Sequence, residues 1–175
     1  MIVGNKVILR EKRLSDARND YEWESDPELA MLDAAPVVNI TFSQYLEDYA
    51  DEINHFFKTS RRFAIDTLEG KHIGNCSYYN INEARKDTEL GIMIGDRDYW
   101  NNGYGADTVT TLVNHIFNRT KLNRVYLKTL ESNDRAQKCF QKCGFTPYEL
   151  LTKPRFRFAL MEIHRPQWLE KQSRA

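Results

Sequence analysis

The chain has 175 residues, 41% of them hydrophobic, and its 25 basic and 25 acidic side chains cancel to a formal net charge of zero. That length fits a single domain, residues 1–175, with enough interior to fold without disulfides or metal, and the charge balance excludes a nucleic-acid protein that relies on a basic face. Cys76, Cys139 and Cys143 make no disulfide framework, no charged-then-apolar leader opens the chain, and no apolar run approaches the ~20 residues of a membrane span, so a reducing cytoplasm is the expected compartment, with neither membrane nor nucleic acid as partner.

Val7-Ile8-Leu9 is short and β-branched and reads as the first strand, with Arg10 to Arg13 emerging into solvent. Ser15 is placed to cap a helix carrying Asp16 in its first turn, Asp26-Pro27 marks a second helix start, and Ala34-Ala35-Pro36 interrupts the pattern. Thr41 and Gln44 make a capping box for a helix on which Phe42, Tyr45, Leu46, Tyr49 and Ile53 recur at helical spacing. Phe63-Ala64-Ile65 and the run Ile73 to Ile81 flank a turn from Thr67 to Gly70, as in a hairpin. A second turn from Asn82 to Lys86 leads to a strand over Thr88 to Ile94, with Leu90, Ile92 and Ile94 on one face and Glu89, Gly91 and Met93 on the other.

The stretch from Glu89 to Phe117 then runs from strand through a Gly/Asn-rich turn, Trp100 to Gly105, into a helix with apolar positions at Ala106, Val109, Leu112, Val113, Ile116 and Phe117. Glycine at 103 and 105 permits positive φ and close approach of a ligand, while the first N–H groups of the helix lack partners, which suits a pyrophosphate. Neither a Walker loop nor a dinucleotide fingerprint fits, because Gly105 is followed by Ala106-Asp107 and Thr108 stands where a further small residue is required. Val125 to Leu130 reads as a parallel strand reached by a crossover, and Ser132 or Asn133 caps a helix with Ala136, Cys139, Phe140 and Cys143 on its apolar side and Gly144 at its end. Phe145 restarts the chain as a strand, Phe156, Phe158 and Leu160 alternate along a last one, and the tail from Pro166 is polar apart from Trp168 and Leu169. The four histidines are scattered and Cys139 and Cys143 lie on an apolar face, so no metal is expected.

Glu89-Leu90-Gly91, then Tyr99-Trp100-Asn101-Asn102-Gly103-Tyr104-Gly105, then Asn133 through Gly144-Phe145 resemble, in order and spacing, the GCN5-related N-acetyltransferases (GNAT), and within them the branch that acetylates ribosomal-protein N-termini (RimJ/RimL-like). The resemblance implies an α+β fold: a mixed, twisted sheet of six to seven strands, antiparallel except near the cofactor, with helices on both faces and a pyrophosphate-binding turn after the fourth strand. It implies acetyl-CoA (coenzyme A) as donor, its pyrophosphate on the N–H groups of Asn101, Asn102, Gly103, Tyr104, Gly105 and Ala106. The pantetheine arm enters where the strand splays from its parallel neighbour; there Met93 and Ile94 offer backbone groups and Asn133 a hydrogen bond. Trp23, Met31, Leu32 and Phe42 are either acceptor wall or plain core.

Three positions depart from the family pattern. Trp100 stands where glutamine or arginine usually opens the turn, though it is common in the ribosomal branch; Asn101 replaces a glycine but tolerates left-handed angles; and Phe140 occupies the place of the tyrosine that protonates the leaving thiolate. The acid is left to Ser132, Tyr148, water or the ammonium formed in the reaction. Glu89 is the first candidate for the base, with Glu131 as second or as a binder of a cationic acceptor. An α-amine with a pKa of about 7.7–8.0 is far more often neutral at pH 7 than a lysine-like amine near 10.4, so a protein or peptide N-terminus is the favoured acceptor. A polyamine or aminoglycoside-like amine is the alternative, and a CoA-binding module without turnover is a reading of another class. Either a monomer or a homodimer is compatible with the sequence.

Overall fold

A computed structural model describes residues 1–174 of the protein. Eight strands, β1 (Ile2–Val3), β2 (Val7–Arg10), β3 (Ser60–Thr67), β4 (His72–Asn82), β5 (Asp87–Ile94), β6 (Arg124–Leu130), β7 (Thr146–Thr152) and β8 (Arg157–His164), form one sheet in the order β1-β2-β3-β4-β5-β6-β8-β7. All neighbours are antiparallel except β5 and β6. The helices are α1 (Ala17–Glu24), α2 (Pro27–Leu32), α3 (Phe42–Asn54), α4 (Tyr104–Arg119), α5 (Asp134–Cys143) and α6 (Arg165–Ser173). None is long and apolar enough to cross a membrane.

The sheet has one strand more than the six or seven expected, so the Gly/Asn turn follows the fifth strand rather than the fourth. The extra strand is β1, too short for any periodicity to announce. It is held from outside: the carboxylate of Asp107, in the first turn of α4, accepts from the amides of Asn5 at 3.2 Å, Lys6 at 2.7 Å and Val7 at 3.1 Å.

The two faces of the sheet are held by different forces. On one, Val109, Leu112, Val113, Ile116 and Phe117 of α4 are buried with Leu9, Ile65, Ile73, Leu90, Val125, Leu127, Met161 and Ile163, an arrangement stabilised by loss of apolar surface from water. The tail that reads as polar joins this side as α6, because Trp168 is buried against Phe117 with ring centroids 5.3 Å apart, and Arg165 donates to the carbonyls of Phe117, Thr120 and Leu122 at the end of α4.

On the opposite face, α1 and α3 share a small cluster of Ala17, Tyr45 and Tyr49, and they meet the sheet through ions. Arg10 does not emerge into solvent. It is 8% exposed, with its guanidinium on Asp16 at 2.7 Å and Asp66 at 2.6 Å. Asp20, fully buried, takes Lys12 at 2.6 Å, the Tyr49 hydroxyl at 2.8 Å and the Asn75 amide at 2.7 Å. This network also displaces the expected Ser15 cap: Asp16 turns back to accept from the Arg13 amide at 2.7 Å, and a 3-10 turn over Leu14–Asp16 precedes α1. Burial pushes the Asp16 carboxyl up, but hydrogen bonds from Arg10 and the Arg13 amide outweigh it and leave it below the ordinary range. The cap at Asp26, the Thr41–Gln44 capping box and the left-handed stop at Gly144 fall where the sequence puts them.

Asp16→Ala leaves the buried Arg10 with half its counter-charge and should destabilise the protein by about 3 kcal/mol in a urea titration at pH 7. Because the folded carboxyl titrates below its unfolded value, that difference should be full above the unfolded pKa and shrink as pH falls through the lowered folded one.

Candidate active site

Strands β5 and β6 pair only at Asp87–Arg124, Thr88–Val125 and Glu89–Tyr126, although β5 runs on to Ile94 and β6 to Leu130. Beyond Glu89 they separate, and the edge of β5 that faces β6 carries backbone groups without a strand partner. The gap opens into a cleft of ≈ 510 Å³ lined by Leu90 to Ile94, Leu127 to Leu130, Asn133, Phe140 and the turn, a size typical of small-ligand sites.

The turn is shaped by two left-handed residues, Asn101 at φ 59° and Gly103 at φ 84°. Gly103 caps α4, and the first helical bond runs from the Asp107 amide to its carbonyl at 3.0 Å. The amides of Asn101 to Ala106 have no hydrogen-bond acceptor among the described residues, and Asn101, Gly103, Gly105 and Ala106 line the cleft, where unpaired donors and the positive end of the helix dipole suit an anion. Gly105 is helical rather than left-handed; a β-carbon there would meet Cys139 Sγ at 3.7 Å, an ordinary contact. Trp100 ties the turn to the strand by donating its indole N–H to the Ile94 carbonyl at 2.7 Å, and its ring receives the Arg135 guanidinium at 3.6 Å.

A second cavity, also ≈ 510 Å³, lies between the sheet and α1–α3. Its lining includes the carboxylates of Glu24, Asp33, Asp48 and Glu52 with Tyr45, Tyr49 and Tyr79. Arg62 pairs with Glu52, and Lys12 is engaged by Asp20. Glu24, Asp33 and Asp48 have no ion-pair partner among the described residues. Burial pushes the Glu24 carboxyl up, partly offset by its hydrogen bond with Tyr45, and enclosure raises Asp33 to about 6.

The residues singled out in the sequence divide. Met93, Ile94, Asn101, Gly103, Gly105, Ala106 and Asn133 line the cleft, while Asn102 and Tyr104 sit in the turn without lining it. Asn133 caps α5, its Oδ1 accepting from the Ala136 amide at 3.1 Å, which leaves its NH₂ free to donate. Glu89 lines neither cavity; it is 5% exposed, held by Asn80 at 3.0 Å and Lys128 at 3.4 Å. Glu131 pairs with Arg157 at 3.0 Å, and Ser132 is exposed outside both cavities. Phe140 lines the cleft, but Tyr148 stacks on Arg124 near the start of β6 and lines neither cavity. Leu32 lines the cleft; Trp23 packs on His72, Met31 is exposed and Phe42 packs on Tyr21. Asp33, Tyr79 and Lys128 escaped the sequence reading, since only strand register and the path after α2 bring them to the site. No group of three or more metal-ligating side chains exists among the described residues.

The sequence model of the family described as "Acetyltransferase (GNAT) domain" matches residues 6–146. An uncharacterized N-acetyltransferase, p20, of Bacillus licheniformis is 23% identical over 147 residues, 83% of this chain and 82% of that protein. The fold superimposes on spermidine N-acetyltransferase from Vibrio cholerae, solved with CoA and spermine, with a TM-score of 0.81 at 19% identity, covering 93% of this chain and 98% of the other. It also superimposes on the aminoglycoside acetyltransferase AAC(6')-Ib in complex with coenzyme A, with a TM-score of 0.78 at 20% identity, covering 95% and 99%. These likenesses are to the family as a whole and do not single out the ribosomal branch.

The close approach of β4 to the end of β5 is testable. A β-carbon on Gly74 would lie 2.1 Å from the Met93 carbonyl oxygen, so Gly74→Ala must displace the strand end that borders both cavities. A loss of about 1–3 kcal/mol is expected in urea unfolding, with a shift in tryptophan emission because Trp100 hangs from the neighbouring carbonyl of Ile94.

Proposed function

The chain belongs to the GNAT acetyltransferase family, and from that premise we propose that it transfers an acetyl group from acetyl-CoA to a primary amine of a small, multiply charged molecule of the polyamine or aminoglycoside class. The observation that carries the acceptor class is the cavity beside the cleft, whose lining includes the unpaired carboxylates Glu24, Asp33 and Asp48. Several carboxylates around an enclosed volume suit a molecule with several ammonium groups, each paired with its own anion. A peptide N-terminus offers one such group and has no use for the rest.

Acetyl-CoA is the donor, and the residues fit it. The free amides of Asn101 to Ala106 supply anion donors for a pyrophosphate, with Lys138 and Lys142 of α5 adding positive charge to the cleft lining. The unpaired edge of β5 at Gly91 to Ile94 accepts an extended arm as a sheet accepts a strand. The Asn133 amide donates to that arm, and a β5 amide beside the thioester polarises its carbonyl as charge develops on oxygen. The Ile94 carbonyl is taken by Trp100 and the Met93 carbonyl lies against Gly74 of β4, so the Ile94 amide remains for these contacts. Phe140 has no proton to give, and a thiolate is a good enough leaving group to depart without a dedicated acid.

Thiol release from acetyl-CoA is the test, with spermidine, kanamycin and a peptide with a free N-terminus as acceptors. At least one of the first two should exceed the peptide at least tenfold in kcat/KM, and added salt should weaken its KM. Preference for the peptide would move the acceptor to the protein class, and no release with any amine would leave a CoA-binding module without turnover. The donor half has its own check. Gly103→Val forces a branched residue to φ 84° with only Lys6 nearby, so coenzyme A affinity should fall about tenfold in calorimetry while stability drops by only about 1–2 kcal/mol.

A further inference from the structure

The two cavities share a boundary made by Asp33, Tyr79, Gly91, Ile92 and Met93. A thioester lying along the free edge of β5 and an amine arriving from the carboxylate-lined side meet at this boundary. Gly91 to Met93 belong to the strand that borders it. Of the two polar side chains, Tyr79 faces Glu89, and burial together with that carboxylate keeps its phenol protonated well above its usual range. Asp33 is the one carboxylate present.

Resting on the acceptor class proposed above, we infer that Asp33 is the catalytic base, taking a proton from the acceptor ammonium where the two cavities meet. The side chain has no hydrogen bond or ion pair within the protein among the described residues, so its lone pairs are available to an incoming N–H. Its backbone is fixed all the same. Asp33 ends α2, donating its amide to the Leu29 carbonyl at 3.0 Å, and the next two amides bond to Met31 at 3.0 Å and Ala30 at 2.9 Å. The other acidic candidates lie away from the boundary: Glu89 lines neither cavity and is held by Asn80 and Lys128, Glu131 is paired with Arg157, and Glu24 and Asp48 line only the second cavity.

The step balances without another reactant. The R–NH₃⁺ group gives one proton to the Asp33 carboxylate. The freed nitrogen pair forms a bond to the acetyl carbon and the thioester π pair moves to oxygen. When that oxyanion collapses, the C–S bond breaks, and the second proton, on the N–H⁺ of the intermediate, goes to the departing thiolate. Asp33 returns its proton to water, giving the amide, the free thiol and one H⁺. Asp33 is exposed on one side, yet the protein around it raises the carboxyl to about 6, close to the value a base needs at neutral pH. Of the titratable groups, Glu24 on α1 and Tyr79 on β4 lie close enough to feel its charge; the two cavities it borders also hold Tyr45, Asp48, Tyr49, Glu52 and Arg62 on one side and Tyr99, Lys128, Arg135, Lys138 and Lys142 on the other, with Lys12 held by Asp20.

The test uses the full chain with spermidine and, in parallel, kanamycin. In the wild type, kcat/KM should fall below pH ~6 as Asp33 is protonated. Asp33→Asn should lower kcat by about 100-fold or more and abolish that acid limb, with coenzyme A affinity unchanged in calorimetry; Asp33→Glu should recover part of the rate and the limb. A readout without turnover is the carboxyl itself, followed by infrared difference spectroscopy: a band titrating near pH 6 in the wild type should be missing from Asp33→Asn. If wild type acetylates an amine but Asp33→Asn keeps the rate or the limb, or if the difference band titrates near pH 4, this assignment falls and the proposed function stands. If Asp33→Asn loses rate without loss of the acid limb, the carboxylate only anchors the acceptor and the assignment also falls. If neither amine is acetylated by the wild type, both readings fall together.

Discussion

The parting of β5 from β6 after Glu89 and Tyr126 is the constraint on which the rest of the site depends. A parallel pair continued to the strand ends would satisfy its own backbone groups and leave nothing for a ligand. Separation exposes those groups, and the fold sustains it by occupying the space in other ways. Trp100 satisfies the Ile94 carbonyl, Arg135 covers the indole, and α4 and α5 wall the opening with Ala106, Ala136 and Phe140. The turn from Asn101 to Gly103, bent by two left-handed residues, then brings the N-terminus of α4 to the same opening, where Gly105 and Ala106 line it. Donor amides, a free strand edge and an apolar wall thus converge because one ladder stops early.

The ionic face of the sheet bears on the same geometry. Lys12, Asp20, Tyr49 and Asn75 join the loop after β2, α1, α3 and β4 in one buried network, and these elements contribute to the lining of the second cavity. Charged groups out of water are stable only when each is met by a partner in the right direction, so this network admits few arrangements of α1 and α3. The apolar face is more tolerant, since aliphatic packing lacks direction. The wall of the second cavity is therefore held by the more directional set of contacts.

Features that depend on neighbours in the chain were legible in the sequence. Asp26 before Pro27, Thr41 with Gln44, and Gly144 after the apolar side of α5 each act within four residues and are found where their chemistry puts them. The motif from Glu89 to Gly105 is likewise contiguous, which is why the family could be read from it. Contacts across long separations were hidden. Nothing near Arg10 tells that Asp66 will be brought to 2.6 Å across the β2–β3 pairing. The partners of Glu89 come from β4 and β6, so its burial is a matter of register. Asp33 looks like one more polar residue before a proline-containing break; only the fold sets it between two cavities. The tail reads as polar because a docked helix needs just one apolar anchor, Trp168, once Arg165 has found the carbonyl end of α4.

The chain contains three tryptophans, and their surroundings differ. Trp168 is buried under α6, and Trp23 is packed edge-on to His72 at 4.9 Å; neither lines the cleft. Trp100 alone does, with a guanidinium on its ring and a strand carbonyl on its nitrogen. The protein thus carries an intrinsic optical probe in the cleft, one whose emission is tied to the contacts between the turn and the strand end, and with Trp23 and Trp168 replaced by phenylalanine the remaining signal would follow the filling of the gap without any added label.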